Sequence, residues 1–246
     1  MRYVLVLMLA VVFATPLSAA PAQSPAQLPD LGVTPVRHLL VGLTADRKKQ
    51  LRFTVSIANV GTGPIEVGAK RPSRGAEWSA WQRIERKDGS SYRVPAPGAR
   101  MVFVGLSEHG HWHIRGVARY ELRRLGSSKP VRIHVKRGFC LWDSSDYRLG
   151  LRGAPREQEY ERDDCGEKRA LALAMGISVG WKDDYFWRIP GQIIDVTSVP
   201  LGKYRLYVKV DPRNWFRESN ERNNVTWVDI AIGERVIKVL GRSPRV

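Results

Sequence analysis

Apolar and polar residues alternate along much of this chain. In "LRFTVSIANVG", Leu51, Phe53, Val55 and Ile57 alternate with Arg52, Thr54 and Ser56, and the run ends in the turn signal "NVGTGP". A period of two places successive side chains on opposite faces of an extended strand. "PVRIHVKRGFCL" repeats the pattern with Val131, Ile133 and Val135 against Arg132, His134 and Lys136. By itself that predicts a strand with Lys136 turned outward at a sheet edge. "GKYRLYVKVDP" alternates through Tyr204, Leu206, Val208 and Val210, and "NNVTWVDIAI" reads as its hairpin partner. The best helix candidate is short, "EKRALALAMG" from Glu167 to Gly176. Short strands separated by Gly, Pro and Asn turns predict an all-β fold, an antiparallel β-sandwich with long loops and little helix.

The ends and the composition refine this picture. The first residues, "MRYVLVLMLAVVFATPLSAAPAQS", carry one Arg, an apolar run from Val4 to Ala14 and then small residues. Residues 1–22 therefore read as a secretory signal with an A-x-A site at Ala20 to Ala22, cleavage after Ala19 being the alternative. The apolar run is shorter than the roughly 20 residues of a membrane span, so no span is expected after signal cleavage. Pro-rich residues 23–35 read as a linker and 36–246 as the folded domain, in a secreted or periplasmic protein. In such an oxidising compartment the only two cysteines, Cys140 and Cys165, would pair, two free thiols being the alternative.

The formal net charge is +16. Lys and Arg are scattered among the strand-like segments, with no helix-turn-helix or finger spacing, which argues against nucleic acid as a partner. A basic exported protein more often meets an anionic surface or polymer. One acidic run, "REQEYERDDC", holds Glu157, Glu159, Glu161, Asp163 and Asp164. It reads as a solvated loop, or as a local landing place for a cationic ligand.

Three of the five histidines fall in "HGHWHIRG". On a strand, His109, His111 and His113 share one face. At about 3.3 Å per residue the outer two stand about 13 Å apart on a straight strand, a gap two imidazoles can barely close on one ion. The chain must curl or bulge here, and Gly110 eases that. An all-imidazole set suits Zn or Cu, and a polar strand face meeting solvent is the plainer alternative. A cupin-type site would need a Glu soon after the histidines, and Glu121 comes too late.

Three stretches in order carry a family resemblance. "HGHWHI…YEL", "VKRGFCLWDSSDY" and "GISVGWKDDYFW…QIIDVTSVPLGKYRLYVKVDP…ESNERNN" resemble the catalytic domain of the lysyl oxidase family, over roughly Leu51 to Ile230 and in a single-domain, microbial form. The resemblance implies Cu(2+) held by His109, His111 and His113. It also implies a lysine tyrosylquinone made from Lys136, four residues before Cys140 of "KRGFCL", and Tyr185, seven before Gln192 of "QIID". The implied reaction takes a primary amine, peptidyl lysine above all, and molecular oxygen to an aldehyde, ammonia and hydrogen peroxide.

Departures matter as well. Where animal members carry further His and acidic residues this chain reads "IRGVARY", with Arg119 or Tyr120 at the place of a His sometimes considered as base. The base is therefore sought in Asp183 and Asp184, beside Tyr185, and in His134, two before Lys136. Cys140 and Cys165 would be a reduced version of the family's disulfide framework. A competing reading is a secreted, metal-binding β-sandwich adhesion module without catalysis, because "FTVSIANVGTGPIEV" and "VDPRNWFRESNERNN" also resemble bacterial immunoglobulin-like adhesion domains. Such a module has no reason to cross-link Lys136 with Tyr185.

Overall fold

The strand Lys49–Asn59 organises the fold, pairing antiparallel with Leu31–Val33 and Trp181–Tyr185 along one part and with Arg37–Leu43 and Ile193–Asp195 along another. From Phe53 to Asn59 both of its faces are buried, so the polar half of its alternation must find partners inside the protein. It does: the Thr54 hydroxyl accepts from the Trp187 amide, and the Asn59 side chain donates to the Gly63 and Ile177 carbonyls.

The computed structural model describes residues 23–105, 110–136 and 138–244. Among them it is all-β, with four antiparallel sheets, no α-helix and one 3-10 turn at Arg162–Cys165. Short Ser145–Asp146 extends the first sheet beyond Trp181–Tyr185. A second sheet runs Ala26–Gln27, Ser79–Arg86, Ile65–Lys70, Ala172–Ile177, with Ser91–Pro95 also on Ser79–Arg86. A third runs Pro130–Val135, Ala118–Arg124, Gly202–Val210, Val225–Ile232, Ile237–Arg242, and includes the expected hairpin. The fourth is Arg100–Val104 with His111–Arg115. One buried apolar cluster draws on all four, and Phe53 meets Tyr120 edge-on at 4.9 Å to join the first sheet to the third.

Three expectations change. Residues 23–35 are not a linker: Leu31–Val33 is a buried strand against Asn59 to Ile57, and Ala26–Gln27 pairs with Ser79–Arg86. The proline-rich composition masked a short apolar triplet whose backbone completes a sheet. The candidate helix is instead the strand Ala172–Ile177 on Ile65–Lys70. Leu173, Met175 and Ile177 are buried in alternation, and the neighbouring strand's free backbone groups outweigh the weak helix preference of the Ala and Leu residues. Finally, Pro130–Val135 presents the opposite face. Ile133 and Val135 are 50% and 51% exposed, while Arg132 and His134 lie across from buried Leu122 and Tyr120. The proposed signal, 1–22, lies outside the described residues, and no described helix is long and apolar enough to cross a membrane.

Candidate active site

The inverted edge strand carries Lys136 inward to 4% exposure. Its Nζ has no hydrogen-bond partner and stands 3.5 Å from the centre of the Tyr185 ring. Burial lowers the pKa of this amine to about 7, against a smaller opposing pull from Asp183. Near neutral pH about half of the amine is thus in its neutral, nucleophilic form. Tyr185 ends the strand Trp181–Tyr185, with its ring edge-on to Phe139 at 4.5 Å. Its hydroxyl hydrogen-bonds to the Asp183 carboxyl and lies 3.1 Å from the Cys140 carbonyl.

Burial pushes the Tyr185 phenol well above its ordinary pKa, with Asp183 adding to the rise. Burial also raises the Asp183 carboxyl well above the usual range, outweighing the lowering by Tyr185 and Lys136. Amine, phenol and carboxyl are each favoured in the neutral form, which spares the interior an unpaired charge. A protonated Asp183 also satisfies the geometry: it donates to the phenol oxygen while the phenol donates to Cys140. Asp183 Oδ1 is left without a partner.

Main-chain pairing brings the histidines to this trio. Ile114 and Phe139 exchange backbone hydrogen bonds of 2.8 and 3.0 Å, laying His111–Arg115 beside the segment that follows Lys136. The approach is so close that a Cβ on Gly138 would overlap the His113 side chain, so only glycine fits there. The His111 and His113 ring centres are 4.7 Å apart. That is less than the roughly 6.6 Å repeat of side chains on one strand face, so the rings lean together as two ligands of one ion do. The regular strand starts at His111, just after Gly110. His109 lies outside the described residues, and among those described no group of three or more His, Cys, Asp or Glu could hold a metal. The two imidazoles in place are nitrogen donors that suit copper.

Trp112, between the two histidines, faces the other way. Its Nε1 donates to the Glu167 carbonyl, and Arg71 lies 4.6 Å from both its ring and that of Trp78. The buried Arg71 guanidinium also donates to the Arg74, Lys168 and Ala170 carbonyls. Cys140 and Cys165 form a disulfide with a Cα–Cα distance of 5.8 Å, which ties the lysine segment to the chain just before Glu167. Neither Gly138 nor Arg71 stood out in the sequence. A glycine between Lys136 and "FC" was the available signal for the first, and Arg71 had none.

The expected bases separate. Asp184 points to the face of its strand opposite Tyr185, where it accepts from Ser56 and Ser145 and pairs with Lys182 at 2.9 Å. Burial would raise its pKa, but hydrogen bonds from Lys182, Ser145 and Ser56 together hold it below the usual value. Its carboxylate is thus engaged at the back of the strand, away from the Tyr185 side where a base was expected. His134 stacks nearly parallel to Tyr120 at 5.9 Å, and the Tyr120 hydroxyl donates to the buried Gln192. Residues Glu157, Glu159, Glu161, Asp163 and Asp164 are exposed, as a solvated loop would be.

A sequence profile of the lysyl oxidase family matches residues 82–241, a span holding the histidine, lysine and tyrosine motifs together. The chain belongs to the lysyl oxidase family. It is 32% identical over 151 residues to the protein-lysine 6-oxidase of Gallus gallus, covering 61% of this chain and 32% of that protein. Lysyl oxidase homolog 2 of Gallus gallus is 35% identical over 144 residues, 58% of this chain and 16% of that protein. The protein-lysine 6-oxidase of Homo sapiens is 31% identical over 151 residues, again 61% and 32%. The matched part of this lysyl oxidase family member thus spans about a third or less of these curated relatives.

Proposed function

We propose that the chain is an exported, copper- and quinone-dependent amine oxidase that deaminates primary amines, peptidyl lysine above all, to aldehydes with release of ammonia and hydrogen peroxide. One observation carries this reading: the buried, unpartnered Lys136 amine 3.5 Å from the Tyr185 ring. A lysine held this way costs stability, and groups with pKa values perturbed in this way cluster at sites that serve chemistry. His109, His111 and His113 would hold the copper, and Lys136 with Tyr185 would form the lysine tyrosylquinone. When bound, the copper supplies oxygen activation and the quinone an electron sink for amine oxidation.

The remaining roles fall to the chain itself. Burial shifts the Lys136 amine toward its neutral form against the tyrosine ring. The Cys140 carbonyl and Asp183 orient the phenol oxygen, and Phe139 shields the ring from water. Asp183, with an unpartnered Oδ1 beside the phenol, would accept the substrate's α-proton from its ionised form, and the proton affinity that burial gives it makes that form the stronger base. Export rests on the leader sequence, and the basic balance favours an anionic surface as the place of work.

Peptide mass spectrometry on protein matured with copper and air, beside a copper-free preparation, tests the reading. A Lys136–Tyr185 cross-link that appears only with copper is expected. Separate, unmodified peptides from a copper-loaded sample would overturn it and leave a metal-binding sandwich.

A further inference from the structure

Beside Lys136 Nζ and Asp183 Oδ1, a third buried polar atom near Tyr185 has no partner among the described residues: the amide nitrogen Nε2 of Gln192. Gln192 is wholly buried, and its Oε1 accepts from the Tyr120 hydroxyl at 2.9 Å. An amide nitrogen carries two donors, and leaving both unmade in the interior costs free energy that a methionine of similar length would not. Binding the Tyr120 hydroxyl accounts for the carbonyl half of this side chain and not for the other half.

The strand pairings set that amide next to the reacting pair. Leu31–Val33 and Arg37–Leu43 follow one edge of Lys49–Asn59, with the Thr34 amide bonded to the Ser56 carbonyl between them. Trp181–Tyr185 and Ile193–Asp195 each overlap one of these in register and so share the other edge, where Tyr185 stands opposite Val55 and Ile193 opposite Arg52. One residue further in that register, Gln192 comes opposite Phe53. Phe53 and Val55 are successive positions on one strand face, about 6.6 Å apart, which makes Tyr185 and Gln192 neighbours on it. The facing sheet repeats the step. Tyr120, which holds Gln192, packs on Phe53 and stacks with His134, and Lys136 lies two residues beyond His134. After burial and Asp183, the Tyr120 hydroxyl adds to the raised pKa of the Tyr185 phenol, as a close neighbour does.

Given the amine-oxidase reading, on which this rests, we propose that Gln192 is a positioning residue whose amide donates to the oxygen that the Tyr185 ring gains on becoming the quinone. As a tyrosine the ring offers one oxygen, already engaged by Asp183 and the Cys140 carbonyl. As a quinone it carries a second oxygen on the neighbouring ring carbon. Dioxygen supplies that atom as the phenol is oxidised, and its other atom leaves as water. The added oxygen is an acceptor on the strand face where Gln192 holds a spare donor. A hydrogen bond between them fixes the rotation of the ring in front of Lys136, and a fixed orientation is what positioning contributes to a reaction at one ring carbon.

The test matures the parent, Gln192→Met and Tyr120→Phe with copper and air and checks each for the Lys136–Tyr185 cross-link by peptide mass spectrometry. Resonance Raman spectra of the quinone carbonyl stretches are then compared. Losing a hydrogen bond stiffens a carbonyl, so Gln192→Met is expected to move a carbonyl band to higher wavenumber while Tyr120→Phe leaves it in place. Amine turnover of Gln192→Met, read by hydrogen peroxide release, should fall about tenfold in kcat with KM within about twofold. A cross-linked Gln192→Met with the parent's spectrum would overturn the assignment alone and leave Gln192 as the acceptor for Tyr120. Equal band shifts in both variants would overturn it too, because packing would then set the band. A parent without the cross-link would overturn it together with the amine-oxidase reading. Where Gln192→Met does not fold, Gln192→Glu keeps the shape and an acceptor for Tyr120. Its carboxyl donates only when protonated, so its band should move with pH where the parent's stays fixed, and a band fixed in both would overturn the assignment.

Discussion

Lys136 is a nucleophile only when it gives up a proton, and its surroundings decide when that happens. With a pKa of about 7, lowered by burial, roughly a tenth of the amine is neutral at pH 6 and nine-tenths at pH 8. The rate of Lys136–Tyr185 cross-linking should therefore rise about tenfold between those pH values and flatten above them, followed by mass spectrometry of timed digests. A rate unchanged across that range would show that amine deprotonation does not limit the step. The neighbouring acids divide just as sharply. Asp183→Asn should lower amine turnover at least 100-fold, the low end of general-base effects, as read by hydrogen peroxide release. Asp184→Asn should leave turnover within about threefold yet cost about 1–3 kcal/mol of stability in urea unfolding, because it breaks a buried network with Lys182, Ser145 and Ser56. The reverse ranking would assign the base to Asp184. From the sequence the two acids are equivalent neighbours of Tyr185. Only the strand's alternation, fixed by pairing with Lys49–Asn59, tells them apart.

Among the elements, the histidine strand is held from both sides, and each side has its own prediction. Gly138→Ala should push His113 aside and weaken copper binding by tenfold or more, measured by competition with a chelator. Gly110→Ala, where an added Cβ meets nothing within 4 Å, should bind copper within about twofold of the parent. On the other face, Arg71→Ala removes three hydrogen bonds to carbonyls and two cation–π contacts, at a cost of about 3 kcal/mol in urea unfolding. Arg71→Lys should recover only part of that, because an ammonium cannot span three carbonyls as a planar fork does. The strands themselves were largely legible. Lys49–Asn59, Gly202–Val210 and Val225–Ile232 follow directly from alternation. Ala172–Ile177 was missed because Ala and Leu favour a helix locally, and a sheet edge supplied by Ile65–Lys70 overrides that preference.

For the whole molecule, the Cys140–Cys165 disulfide closes a separation of 25 residues and joins the lysine segment to the turn beneath the histidine strand. Loop-closure entropy alone gives it about 3 kcal/mol, so Cys140→Ala/Cys165→Ala should lower unfolding stability by about that amount, measured by urea titration without reductant. The motifs, their order and the all-β architecture were determined by the sequence itself, because hydrophobic period and motif spacing are local properties that survive in one dimension. The same holds for the strongly basic balance of charge. The tertiary structure alone decided that Lys136 faces inward. Read locally, its strand puts Ile133 and Val135 in the core and the lysine outside. Pairing with Ala118–Arg124 sets the opposite register face, so two apolar side chains are left in water and one amine is buried against a tyrosine ring. Burial and the meeting of distant segments come from which surfaces pack together, and a sequence period cannot carry that information.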